Sequence, residues 1–210
     1  MNKAVFLDKD GTLIQDVPYN VHPDAIWLMP GAITGLKKLH KLGYKLIVIT
    51  NQAGVAHGYF SERALRQVEE HLHWLLSLAG IPLTGFYYCP HHREGALSEY
   101  AVACDCRKPE PGLILRAADD HDIDCGRSWM VGDILHDVEA GQRAGCRTIL
   151  INNGGETEWQ LSENRLPQFM AGNLVEVARI ITAHNELEPG KNGLGRRELS
   201  LPYQAQLTTW

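Results

Sequence analysis

Ala4-Val5-Phe6-Leu7-Asp8-Lys9-Asp10-Gly11-Thr12 is the stretch on which the fold turns. Four apolar residues run without a break and then stop at two carboxylates and a glycine-containing turn. A continuous apolar run of this length suits a strand buried on both faces, as in a parallel sheet covered by helices. The pattern recurs downstream. Leu46-Ile47-Val48-Ile49 ends at Thr50-Asn51-Gln52, and Trp129-Met130-Val131 ends at Gly132-Asp133. Phe86-Tyr87-Tyr88 and Thr148-Ile149-Leu150-Ile151 supply two further strands.

The intervals read as helices. Ile33, Leu36, Leu39 and Leu42 recur at helical spacing, and Gly43 is a C-terminal stop. Ser61 opens a capping pattern for a helix to about Leu78, and a proline-led helix runs from Pro111 to about Asp120. A helix follows Asp133 to about Ala144, and Leu174 to about His184 closes the series. Strands alternating with helices predict an α/β fold, a doubly wound parallel sheet with right-handed crossovers. One domain over residues 1–185 is expected. Residues 186–210, with Pro189, Gly190, Gly193, Gly195 and Pro202 and little periodicity, read as an extended or mobile tail.

The chain has 210 residues, 44% hydrophobic and 21% charged, enough for one ordinary core. A net charge of −5 speaks against a general nucleic-acid or anionic-membrane binder. No apolar run approaches the roughly 18 residues of a membrane span, and Asp8 interrupts the N-terminus before a signal-peptide core forms. A cytoplasmic, monomeric enzyme acting on a small molecule is the expectation. Five cysteines, an odd number, fit a disulfide framework badly, and the grouping of Cys89, Cys104 and Cys106 points to metal.

In open α/β sheets, ligands bind beyond the carboxyl ends of the strands. There the chain places Asp8 and Asp10, Thr50 and Asn51, and Asp133 with Asp137 one helical turn later. Arg107-Lys108-Pro109 precedes the helix beginning near Pro111. Clustered carboxylates repel one another unless a hard cation is present, which points to magnesium-assisted phosphoryl transfer. An ionised Asp8 is a competent nucleophile toward phosphorus. Asp10 can protonate the leaving oxygen and then activate water. Lys108 and Thr50 would meet the charge on the transferring phosphoryl oxygens.

Asp8-Lys9-Asp10-Gly11-Thr12, Thr50-Asn51, Lys108 and Gly132-Asp133 with Asp137 together resemble the four ordered motifs of the haloacid dehalogenase (HAD) superfamily phosphatases. The resemblance implies an HAD-like Rossmannoid fold with Asp8 as nucleophile and Asp10 as acid/base. It also implies magnesium held by Asp8, Asp10 and Asp133, with Asp137 in support. Little room remains between Thr50 and Lys108 for a cap domain.

Cys89-Pro90-His91 and Cys104-Asp105-Cys106 give Cys-x-His and Cys-x-Cys pairs. Three thiolates and one imidazole make a closed tetrahedral zinc set, hence a structural ion. His92 competes with His91 as the fourth ligand, and family register prefers His91. Zinc would pin loop 89–106 so that Arg107 and Lys108 lie over the site.

Together with Thr50-Asn51-Gln52-Ala53-Gly54, this cluster resembles the D-glycero-D-manno-heptose 1,7-bisphosphate phosphatases. The zinc-containing histidinol-phosphate phosphatases share much of the pattern. The heptose resemblance implies removal of the 7-phosphate and substrate contacts from Asp8 to Asp10, from the segment Asp16 to Tyr19, from Thr50, Asn51, Gln52 and Ala53, and from Arg107 and Lys108. The chain departs from that family by carrying His57 and Tyr59 where Arg and Lys are usual, and Ile134 after Gly-Asp. Alternatives are histidinol-phosphate or another small phosphomonoester as substrate, and, from a different class, a phospho-accepting signalling domain. Asp10 argues against the last, since a receiver lacks a proton-shuttling carboxylate there.

The remaining features read as structure. His71 and His73 belong to a helix surface, Asp119 to Asp122 to a solvated helix end, and Cys125 and Cys146 to apolar filling. Trp74 and Trp129 are expected in the core.

Overall fold

The computed structural model describes residues 1–187. In chain order the elements are β1 (Ala4–Leu7), α1 (Ala32–Lys41), β2 (Lys45–Asn51), α2 (Glu62–Leu78), β3 (Gly85–Cys89) and α3 (Gly112–Asp120). They continue with β4 (Trp129–Gly132), α4 (Leu135–Arg143), β5 (Arg147–Ile151), β6 (Phe169–Ala171) and α5 (Leu174–Leu187). The six strands are all parallel, in the order β3-β2-β1-β4-β5-β6. The chain winds from the central β1 out to β3 and then returns to build the other half from β4. The change of direction lies between β1 and β4, where such sheets bind ligands.

Alternation along the strands loads both faces with apolar side chains. Val5, Leu7, Leu46, Val48, Trp129 and Val131 pack with α1, α2 and α5. Ala4, Phe6, Ile47, Ile49 and Met130 turn to α3 and α4. Each fully buried Val, Leu, Ile, Met or Phe contributes about 1.5–3 kcal/mol relative to exposure. That double burial is why β1 reads as an unbroken apolar run.

Gly43 stops α1 as expected. It has φ +81 and directs its N–H to the His40 carbonyl. Ser61 occupies the N-cap of α2, but its side chain makes no capping hydrogen bond. Glu62 instead accepts the hydroxyls of Tyr88 and Tyr100, each at 2.6 Å.

Three departures from the sequence reading have simple causes. β6 was missed because three residues carry no periodicity; pairing with β5 creates it. Trp129 is fully buried, but Trp74 is 54% exposed. The buried stripe of α2 is Leu65, Val68, Leu72 and Leu76, and Trp74 falls on the opposite side beside His71. α5 continues to Leu187, past the expected domain end at 185, and the rest of the expected tail lies outside the described residues. No helix among the described residues is long and apolar enough to cross a membrane.

Candidate active site

β1 delivers the first motif. The turn after it is closed by bonds from the Leu13 and Ile14 N–H groups to the Lys9 carbonyl, at 3.0 and 2.9 Å. Gly11 has φ +73, and a Cβ there would lie 2.0 Å from Asp133 Oδ2, so glycine alone fits. β4 brings Asp133 beside the turn, where the Thr12 hydroxyl donates to Asp133 Oδ1 at 3.3 Å. Asp137 stands one turn along α4 and accepts the Ile134 N–H at 3.3 Å, tying the helix start to its own carboxylate.

Lys108 comes from the far side of the sheet. Its Nζ lies 2.5 Å from Asp8 Oδ1 and 2.6 Å from Asp137 Oδ1, and it also donates to the Ile49 carbonyl at 3.0 Å. Asn51 fixes the lysine's main chain. It donates to the Lys108 carbonyl at 3.1 Å and accepts the Lys108 N–H at 3.0 Å. Asn51 was expected as a substrate contact; its amide is committed to positioning Lys108, although the residue also borders the cavity described below.

Burial is the main force raising Asp8 well above the carboxylate range. Lys108 opposes that shift, while Asp137, Asp133 and Asp10 add to it. Burial, then Asp137, pushes Asp133 up to about 7. Burial alone would lower Lys108, but Asp137 and Asp8 outweigh it and hold the ammonium above its ordinary value. One oxygen each from Asp8, Asp133 and Asp137 lies within 4.8 Å of the others. One lysine among three buried carboxylates leaves excess negative charge, and an all-oxygen donor set suits a hard divalent cation. The residues fit magnesium.

Asp10 is not in this triad. Its Oδ1 pairs with Lys9 Nζ at 2.7 Å, and its Oδ2 accepts Gln52 Nε2 at 3.3 Å. The carboxylate borders a cavity of about 280 Å³ whose lining includes Asp16, Tyr19, Asn51, Gln52 and Ala53. Those five were expected on the substrate. Lys9, inside the Asp8 to Asp10 span that was also expected on the substrate, lines it too, as do Asn20 and Phe60, which were not foreseen. Lys9 is buried between the two carboxylates of the first motif. Gln52 Nε2 also donates to Thr50 Oγ1 at 2.9 Å, which leaves the buried Thr50 hydroxyl its own hydrogen to donate.

The thiol cluster is compact. Cys106 Sγ lies 3.1 Å from Cys89 Sγ and 3.2 Å from Cys104 Sγ, and Cys89 and Cys104 are 3.6 Å apart. His91 Nδ1 completes it, 3.3 Å from Cys106 and 3.7 Å from Cys89. A tetrahedron built on Zn–S bonds of about 2.3 Å has edges of roughly 3.8 Å, close to these separations. His91, not His92, faces the thiols; the His92 ring packs 4.9 Å from His57. Hydrogen bonds from Cys89, Cys104 and His91 lower the Cys106 thiol to about 5, against the pull of burial. Arg107 is tied to this loop, donating to the His91 carbonyl at 3.3 Å.

Residues 105–177 match the HAD-hydrolase-like family. A D-glycero-beta-D-manno-heptose-1,7-bisphosphate 7-phosphatase of Pasteurella multocida is 46% identical over 73% of this chain and 84% of its own. The Haemophilus influenzae enzyme of that name is 40% identical over 86% of this chain and 97% of its own. This chain belongs to that family of HAD phosphatases.

A solved D,D-heptose 1,7-bisphosphate phosphatase from B. bronchiseptica, complexed with magnesium and phosphate, superimposes with TM-score 0.70 at 27% identity, covering 88% of this chain and 99% of that one. As a family member, the HAD phosphatase described here is a phosphoric monoester hydrolase, and HAD phosphatases use magnesium. Its Cys89, His91, Cys104 and Cys106 form a group able to hold zinc.

Proposed function

We propose that this phosphatase removes the 7-phosphate of D-glycero-D-manno-heptose 1,7-bisphosphate through an aspartyl-phosphate on Asp8. The observation that carries the chemistry is the pairing of two aspartates in different surroundings. Asp8 is buried against Lys108, while Asp10, two residues on, faces the cavity. The heptose bisphosphate relatives favour this substrate over histidinol phosphate.

Asp8 attacks phosphorus as the bond to the sugar oxygen breaks, and Asp10 gives that oxygen its proton. Asp10 then takes a proton from water, which attacks the acyl phosphate and frees Asp8. Lys108 and the Thr50 hydroxyl meet the charge on the equatorial oxygens. Asp8 and Asp133, beside Asp137, would hold magnesium, which when bound offsets the excess negative charge and orients the phosphoryl group, while the Asp10 carboxylate, turned to Lys9 and Gln52, is left to the proton transfers. Zinc held by Cys89, His91, Cys104 and Cys106 would order the loop that leads into Arg107 and Lys108.

At the far end of the substrate, Arg107, His57 and His92 are the basic groups at hand. Burial first, and then the Arg107 and His57 charges, hold His92 below its ordinary value. A second phosphate would offset those charges. The test is phosphate release from both heptose 1,7-bisphosphate anomers and from histidinol phosphate, with the product followed by phosphorus NMR. Loss of the 7-phosphate resonance with retention of the 1-phosphate is expected. Faster turnover of histidinol phosphate would overturn the substrate assignment.

A further inference from the structure

The segment after β5, Asn152-Asn153-Gly154-Gly155-Glu156, carries none of the motifs but touches both halves of the carboxylate site. Asn153 Nδ2 donates to the Gly11 carbonyl at 2.6 Å, and Asn153 Oδ1 accepts the Gly155 N–H at 3.0 Å. The first bond ties the segment to the turn that carries Asp8, Asp10 and Thr12. Glu156 ties it to the other half. Its Oε2 accepts the Leu135 N–H at 2.7 Å, and its Oε1 accepts the Glu158 N–H at 2.6 Å. Leu135 opens α4, which carries Asp137. A carboxylate bonded at a helix start is favoured by the exposed N–H groups and the dipole there.

Gly155 lies between these anchors. A Cβ built on it would stand 2.1 Å from Asp133 Oδ2, and a Cβ built on Gly11 would stand 2.0 Å from the same oxygen. One carboxylate oxygen is thus gripped between two glycines on two separate loops. Neither loop could carry a side chain without displacing Asp133.

We propose that Asn153, Gly155 and Glu156 form a clasp that positions Asp133 and the start of α4 for the divalent cation. They are positioning residues, since none touches the reacting atoms. The proposal rests on the assignment of magnesium to the carboxylate site. Groups that orient metal ligands typically change metal affinity or activity by about 10–100-fold when removed.

The experiment is a titration of the full chain with Mn²⁺, read by electron paramagnetic resonance without substrate, alongside the magnesium dependence of turnover. Gly155→Ala and Asn153→Ala should each weaken Mn²⁺ binding at least about 10-fold and raise the half-activating magnesium concentration in parallel. At saturating magnesium the sugar-phosphate KM should stay near wild type. Glu156→Ala should weaken binding as well, and Glu156→Gln, which keeps an acceptor for the Leu135 N–H, should recover most of it. Bound zinc should remain constant throughout, which separates the clasp from general unfolding. Wild-type binding in Gly155→Ala and Asn153→Ala would overturn the clasp. Failure of the wild type itself to bind Mn²⁺ would instead overturn the magnesium assignment beneath it.

Discussion

Two clusters able to hold a metal ion, one of buried carboxylates and one of partly buried thiols with a histidine, lie in this fold, and they are assembled in opposite ways. Cys89, His91, Cys104 and Cys106 come from one continuous stretch, and their mutual contacts close the set on itself. Asp8, Lys108, Asp133 and Asp137 come from β1, the loop before α3, the end of β4 and the first turn of α4. The thiol cluster offers four donors, which would complete a tetrahedral ion with no position left for water, as in a structural site. The carboxylate cluster adjoins, through Asp10 two residues after Asp8, the cavity proposed for substrate, and a cation held there would share its coordination with the phosphoryl oxygens. On the proposed mechanism the thiol centre braces a loop and the carboxylate centre does the chemistry, and Arg107 and Lys108, directly after Cys106, join them.

The sharpest division of labour comes from Asp8→Asn. An amide is no nucleophile, so turnover should fall below detection, while elemental analysis still finds about one zinc per chain. Loss of zinc would show that the two centres fold as one. Asp10→Asn comes next, with a loss on the order of 10²–10⁴ in rate, the usual worth of a general acid. Near-normal steady-state rates would remove Asp10 from the mechanism.

Cys104→Ser probes the brace. It should remove the bound zinc, loosen loop 89–106 and lower the melting temperature, because metal binding is coupled to local folding. Sugar-phosphate kcat/KM should drop by about 10-fold or more as Arg107 and Lys108 lose their support, yet Asp8 should still take phosphate from a small aryl phosphate. Unchanged stability and sugar-phosphate turnover would break the link between the centres.

The smallest effect concerns pH. Asp133 is pushed up to about 7, whereas an aspartate in the unfolded chain titrates at about 3.9. Between these values the folded, cation-free protein holds a proton that the unfolded chain has lost, so rising pH removes stability. Magnesium binds the ionised form and reverses the loss. The difference in melting temperature between magnesium and EDTA should therefore be small near pH 5, grow through pH 7 and level off by about pH 8. A difference that shrinks as pH rises would contradict the carboxylate assignment.

Much of this protein was legible in its sequence. The run Ala4 to Leu7 ending at Asp8 identified a central buried strand, because only a strand covered on both faces is apolar without alternation. Cys-x-His and Cys-x-Cys announced a metal set because near neighbours in a chain can converge with little help from the rest of the fold. Asp8, Asp10, Thr50 and Asp133 could be placed at strand ends because the period of the sheet is local.

Contacts between distant segments were not legible. His91 and His92 are adjacent and chemically equal in sequence; the path of the loop turned Nδ1 of His91 to the thiols. Trp74 was assigned to the core on hydrophobicity, although the register of α2 points it to solvent. Asn51 reads as a polar residue at a strand end, yet its amide is taken by the Lys108 backbone, 57 residues away in the chain. β6, Asn153 and Glu156 gave no signal, since each acquires its role from a partner the sequence does not mark. The sequence by itself determined which chemical groups exist and which strands carry them, because burial pattern and residue type are properties of short segments. Only the tertiary structure decided which group faces which, because long-range pairing depends on where the strands stack and how the loops between them close.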